Sequence, residues 1–278
     1  ISPWPVRTGV TVENGRAWFA ASLVPWKTSY LWCIDSNSAE VAYVTEHQEV
    51  TLQGAILAGG SRLYIPQGRA APIALDQENG KLTGQIGQAG GVFCLLTEDN
   101  QLIAGPPTQK ERDEQIRIAD TTSGKRLTTF NNTNRVVVTK GKAFLHSNDK
   151  LQCLDLARKG KLETTIALEQ AALKKLDPKI EEQKPEIEKL KNSISQSRAD
   201  LGKCLLWEIV HPTPVELIIA EDQLIAGMNN EVIIFEASTG KQLWKAPVKG
   251  KAYGLTPAEG RLIVSTDLGH IHTFAPKP

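Results

Sequence analysis

The chain has 278 residues, with 32 Lys+Arg against 31 Asp+Glu, and 41% of its residues are hydrophobic. Near-neutral charge excludes the basic excess that drives binding to nucleic acid or anionic lipid. No unbroken apolar run is long enough to span a membrane. The length suffices for one closed array of repeats around a large core. The chain opens at Ile1 without Met or a basic-then-apolar leader, which reads as a processed form or a fragment.

Ile1–Thr8 carries Pro3 and Pro5. Prolines at i and i+2 remove donors from one strand edge only, so this segment is predicted to be an outermost strand that completes the last repeat of a ring. Beyond it, a turn followed by a small or polar residue and an apolar run recurs. Its second residues are Arg16, Arg62, Gln101, Lys142, Gln223 and Arg261, in steps of 46, 39, 41, 81 and 38. A second anchor, an acidic residue closing the next run, falls at Asp35, Asp76, Asp120, Asp155 and Glu236, usually ahead of a Gly-Lys pair. An Asp side chain can accept from amides two or three residues on, and Gly supplies the positive φ of the reversal, so these carboxylates are predicted to cap turns. The best copy of the repeat, Val215–Val248, holds four β-rich runs parted by Glu221-Asp222, Asn229-Asn230 and Ser238-Thr239-Gly240. Such a period predicts an all-β fold: a β-propeller of about six four-stranded blades in a single domain, 1–278. The units are about 9–49, 50–88, 90–131, 133–211, 214–249 and 250–278. The last is short and takes its missing strand from the N-terminus.

Both anchors show the doubled step in the same place, so the fourth unit carries an insertion, 162–203, rich in Ala, Leu, Glu, Lys and Gln. Leu176, Ile180, Gln183, Ile187, Leu190, Ile194, Ser197 and Leu201 step alternately by four and three, as a coiled-coil seam does, and Leu168 and Ala172 extend the row backwards. Asp177-Pro178 and Lys184-Pro185-Glu186 have the form of helix starts. The chain must return to the same blade, so an antiparallel helical hairpin is predicted, with arms at 164–176 and 186–202. The seam residues Leu176, Ile180, Ile187, Leu190, Ile194 and Leu201 are the candidate partner-binding positions. Gln183 and Ser197 weaken the seam as a long coiled coil.

The run Phe235-Glu236-Ala-Ser-Thr-Gly240-Lys241-Gln-Leu-Trp244, with a shortened echo at Trp207, resembles the blade signature of the pyrroloquinoline-quinone (PQQ)-like repeat propellers. The segment from Ser2 to Val10, followed by Gly15-Arg-Ala-Trp-Phe and Val24-Pro-Trp, resembles a planctomycete-type subgroup of large exported proteins. The resemblance implies an extracytoplasmic location, periplasmic or secreted, and further blades in a longer parent. It also raises a rival function, a quinoprotein-type enzyme holding PQQ and Ca²⁺ in a central funnel. Against that rival, the adjacent cysteine pair of many such enzymes is missing, and Trp18, Trp26 and Trp32 crowd into the first unit instead of recurring once per blade. Only Trp207 and Trp244 occupy the blade-docking position.

Cys33, Cys94, Cys153 and Cys204 are far apart in sequence and form no CxxC, which excludes a zinc knuckle. The first three read as core; Cys153 and Cys204 flank the insertion, where a disulfide is the alternative. His270 and His272 alternate on one strand and are the candidate metal pair, with plain polar residues the favoured reading. Gly59-Gly60 and Gly90-Gly91 fall at repeat turns, and Pro106 to Glu114 reads as a solvated polar loop. The expected function is a non-catalytic binding or scaffold module for a protein partner or sister domains, with no cofactor, no nucleic acid and no membrane span.

Overall fold

The computed structural model describes residues 5–23, 28–68, 70–86, 94–97, 100–105 and 115–275. Pro3, Trp4, Trp26, Gly90-Gly91 and the loop from Pro106 to Glu114 lie outside the described residues. The chain divides into two compact units, Ile1–Asn131 and Asn132–Pro278. In the first unit three four-stranded sheets follow one another. They are β1 (Thr11–Glu13), β2 (Arg16–Ala21), β3 (Ser29–Asp35) and β4 (Val41–His47); then β5 (Leu57–Gly59), β6 (Arg62–Gln67), β7 (Ala70–Asp76) and β8 (Leu82–Gln85); then β9 (Cys94–Leu96), β10 (Gln101–Ala104), β11 (Ile116–Asp120) and β12 (Arg126–Phe130). The second unit opens with β13 (Thr133–Thr139), β14 (Lys142–Ser147) and β15 (Lys150–Asp155). Helices α1 (Leu156–Leu173) and α2 (Lys184–Leu201) intervene before β16 (Leu205–Val210) completes that sheet. It ends with β17 (Glu216–Ala220), β18 (Gln223–Gly227), β19 (Asn229–Glu236), β20 (Gln242–Ala258), β21 (Arg261–Thr266) and β22 (Ile271–Phe274).

The two anchors are cross-strand partners. Arg16 pairs with Asp35, Arg62 with Asp76, Gln101 with Asp120, Lys142 with Asp155 and Gln223 with Glu236. Each acidic residue thus closes the third strand of its sheet opposite the residue that opens the second. The Asp35 Oδ1 accepts from the Asn37 and Ser38 amides at 2.9 Å, and Asp76 and Asp120 repeat the pattern through Asn79 and Ser123. Four residues on, a left-handed residue turns the chain back: Ala39, Gly80, Gly124 and Gly240. The same irregularity follows each turn, a shift of register such as that between Cys33 and Ile34 or between Ile234 and Phe235. One local rule of hydrogen bonding therefore builds the repeat.

Within each unit the sheets pack face to face, because strand residues alternate sides. Leu63, Ile65, Ile73 and Leu75 join Trp18, Leu31 and Cys33 between the first two sheets, while Tyr64 and Ala74 join Leu102, Ala104 and Ala119 on the other side. In the second unit Phe144, Leu151 and Cys153 meet Leu224 and Phe235, and Ile225 and Val232 meet Leu262 and Val264. Both faces of a middle sheet are covered, which is why β6 reads as a continuous apolar run.

Polar clasps tie neighbouring sheets at one recurring carbonyl, that of the residue after the acidic anchor. The Gln77 carbonyl accepts from Arg16 Nη1 (3.2 Å) and Tyr43 Oη (2.9 Å), and Trp18 Nε1 donates to that phenol oxygen at 2.9 Å. Thr121 O accepts from Arg62 Nη1, and Ala237 O from Trp207 Nε1, each at 2.9 Å. Tyr43 and Trp207 hold equivalent register positions, opposite Cys33 and Cys153. Trp244, opposite Ile234, packs edge-on against Phe274 of β22.

The N-terminal segment departs from expectation. Pro5–Thr8, expected as an outer strand of the last repeat, has its bridges within the first unit: Val6 pairs with Ala21 and Thr8 with Gly54. Of Pro5 the bridge uses the carbonyl alone, which accepts from the Ser22 amide, while the Arg7 amide donates to Ala20 O, so the missing proline donor is no obstacle. The fifth and sixth repeats share a strand. β20 runs from one to the other, pairing with β19 through Lys251 and with β21 from Ala252. Within it Gly250 has φ +94°, and an added Cβ would lie 2.5 Å from Asp267 Oδ1. The cysteines agree with the core reading: all four are free and buried, so the alternative disulfide between Cys153 and Cys204 is not formed. Burial pushes the Cys94 thiol up to about 12 and Cys153 up to about 11, so they behave as small core hydrophobes.

Candidate interaction site: the helical hairpin

The hairpin grows out of the repeat's own turn chemistry. Asp155 accepts from the Arg158 amide at 2.9 Å, the same third-residue contact that Asp35 makes, but here it caps the N-terminus of α1. The first arm therefore begins at Leu156 and not at 164, and Gly160-Lys161 lies inside the helix instead of forming a turn. Leu156 is buried, and α1 touches β14 and β15, while its length packs against α2. At the base, Asp200 receives Lys203 at 2.7 Å and faces Arg158 at 3.9 Å; these cations and the Lys203 hydrogen bond above all hold its carboxyl below the usual range. At the far end Asp177 Oδ1 accepts from the Lys179 amide and its own amide donates to Gln183 Oε1. Asp177-Pro178 is thus a turn, whereas Pro185 stands at the start of α2 as expected.

Of the seam residues, Ile187 and Ile194 are buried, as is Ser197. Leu176, Leu190 and Leu201 are half-buried, and Ile180 is exposed near the tip. The α2 half of the predicted row is a real face, but on α1 the row is different. Leu162, Ile166, Glu169, Leu173 and Leu176 are its half-buried side, and Glu169 accepts from Ser193 of α2 at 2.6 Å. Leu168 and Ala172, expected in the seam, face solvent, with Leu168 at 67% exposure. A glutamate at an inward position hid the true apolar row from a reading by hydrophobicity.

The other candidate residues lie elsewhere. The His270 and His272 rings are 6.1 Å apart, and the His272 Nε2 accepts from the Lys249 amide at 3.1 Å, so that lone pair serves the strand. Among the described residues no three His, Cys, Asp or Glu side chains gather where they could hold a metal ion. No helix of the described residues is long and apolar enough to cross a membrane.

Buried histidines, which the sequence did not single out, predict a pH response. Burial lowers the pKa of His47 and of His211; nearby His146 lowers the latter further, and a hydrogen bond to the Pro212 carbonyl partly opposes this. A depressed histidine binds its proton more readily when unfolded, so its contribution is complete above about pH 6.5 and fades as pH falls below that. The lowered carboxylates Asp35 and Asp120 act the same way in more acid solution, losing their contribution as pH falls through the carboxylate range. Urea midpoints should hold level from pH 8 to 7, decline toward pH 5 and drop again below about pH 4. The double variant His47→Gln, His211→Gln should flatten the first decline and leave the second.

Stacked four-stranded meanders with one turn rule and one inter-sheet clasp define a PQQ-like β-propeller fold. Comparison with known proteins agrees: residues 206–277 match the family described as the outer membrane protein assembly factor BamB. Among solved structures, BamB from Moraxella catarrhalis is similar at 14% identity and a TM-score of 0.58, over 98% of this chain and 77% of that one. The computationally designed Ika8 protein gives 8% identity and a TM-score of 0.60 over 98% and 71%. Hsv2 of Kluyvelomyces marxianus gives 9% and 0.58 over 94% and 69%. No curated protein sequence matches.

Proposed function

We propose that this chain is a non-catalytic scaffold, a propeller of about six blades that holds a helical hairpin clear of its sheets for a protein partner or sister domain. The observation that carries the reading is the hairpin's attachment. α1 and α2 leave and rejoin adjacent strands β15 and β16, pack along each other, and among the described residues α1 touches β14 and β15. A sheet gains little stability from such an arm, whereas a docking element is well served by a rigid one. The match to an outer membrane assembly factor supports a protein partner and an extracytoplasmic location, as does the resemblance to large exported proteins. Ile187 and Ile194 then keep the arms together, and the contact surface lies on the outer faces and at Ile180. Among the described residues the sixth repeat has three strands where the others have four, so the reading includes a further strand beside β22.

The test is to replace 156–203 by Ala-Ser-Thr-Gly, the turn that follows Glu236. The melting temperature should move by only a few degrees, while association in the native host, read as mass by size exclusion with light scattering, should be lost. Association that survives the excision would sink the docking role. A rise of several degrees on adding PQQ with Ca²⁺ would instead favour the quinoprotein-type enzyme.

A further inference from the structure

The two arms of the hairpin show opposite chemistry to solvent, and a partner for either arm presupposes the docking role proposed for the hairpin. From Thr164 to Ala172 every exposed residue of α1 is uncharged: Thr164, Thr165, Ala167, Leu168, Ala171 and Ala172. The only charge in that stretch, Glu169, is half-buried toward α2. α2 by contrast exposes Glu186, Glu188, Lys189, Lys191 and Arg198, the surface expected of a helix that meets only water. The uncharged face has a spacing as well as a composition. Lys161, Thr165, Leu168, Ala172 and Lys175 step by four, three, four and three, the period at which one helix receives another. Lys161 thus stands two turns before Leu168 on α1, and Lys175 stands in the turn just past the helix end, two residues after Leu173. Both are exposed, and neither forms an ion pair among the described residues.

The charges decide the occupant. A second copy of α1 laid antiparallel would set Lys161 against the other Lys175, and laid parallel would set each lysine against itself; both arrangements are repulsive. We propose that this face of α1 docks a helix of another protein, one with small or apolar residues at its centre and acidic residues about two turns to either side. The small side chains of Ala171 and Ala172 allow close approach, Leu168 supplies the central contact, and the lysines fix register and exclude basic helices.

Two helical peptides of about 20 residues serve as probes, identical in an Ala/Leu central face and flanked at matching positions by Glu in one and Lys in the other. With the full chain at low salt, fluorescence anisotropy should show the Glu-flanked peptide binding at least about tenfold tighter. Leu168→Asp should abolish that binding with an unchanged melting temperature, and Lys161→Glu with Lys175→Glu should reverse the preference. Equal binding of the two peptides, no binding of the Glu-flanked peptide at millimolar concentration, or indifference to Leu168→Asp would overturn the assignment. A dimer that Leu168→Asp dissolves would also overturn it, giving the face to a second copy. If excision of the hairpin abolishes native association but Leu168→Asp does not, this assignment fails while the docking role stands.

Discussion

Gly240→Ala is expected to destabilise the protein by about 2–4 kcal/mol, far more than one added methyl at an exposed turn normally costs. Two effects add. Gly240 has φ +74°, where an L side chain is strained by about 1 kcal/mol or more. Its Cβ would also lie 2.7 Å from Cε3 and 2.9 Å from Cζ3 of Trp207. The indole cannot simply swing away. It is tilted against Phe144 with ring centroids 6.2 Å apart, and its Nε1 donates to Ala237 O. Moving it would expose apolar surface and leave that carbonyl without this donor. A double-mutant cycle with Trp207→Ala, followed by urea denaturation, separates the effects. In the Trp207→Ala background the cost of Gly240→Ala should shrink to the backbone strain alone, about 1 kcal/mol. An equal cost in both backgrounds would show that the indole does not dock on this turn.

The same turn shows how far the fold could be read in advance. The anchors were legible because an acidic side chain accepting within the turn and a left-handed residue four positions on leave a fixed trace in sequence, in Asp76 with Gly80, Asp120 with Gly124 and Glu236 with Gly240. Their cross-strand pairing was not legible, since register depends on a partner strand and not on the local run. The fourth repeat misleads because its first step is shared: a carboxylate bonded to the amide three residues on begins a turn and a helix alike. The distinguishing sign was nonetheless present. Gly160 stands five residues after Asp155, and Lys159, a good helix former, occupies the place of the left-handed residue. The clasp was half legible. Trp207 was found as an aromatic in the docking position, but Tyr43 was missed, because there a phenol does the work of an indole.

That phenol leads to the largest effect expected of any single change. Trp18 is 1% exposed between the first two sheets, and its indole begins a relay from Trp18 Nε1 to Tyr43 Oη to Gln77 O, both steps 2.9 Å. Burial pushes the Tyr43 pKa up to about 12, so its hydroxyl stays protonated and remains a donor through neutral and mildly alkaline solution. Trp18→Ala removes the bulkiest side chain in that core and the first donor of the relay together. The loss should be about 3–5 kcal/mol, a large fraction of the 5–15 kcal/mol that holds a typical domain folded. Trp18→Phe keeps an aromatic ring in place and gives up the donor, so it should cost only about 1–2 kcal/mol. Tyr43→Phe should fall between them, because it strands the buried Trp18 N–H and also frees the Gln77 carbonyl from one of its two donors. Urea midpoints at pH 7 order the three variants. Were Trp18→Ala no worse than Trp18→Phe, packing of the indole between the sheets would not be what joins the first repeat to the second.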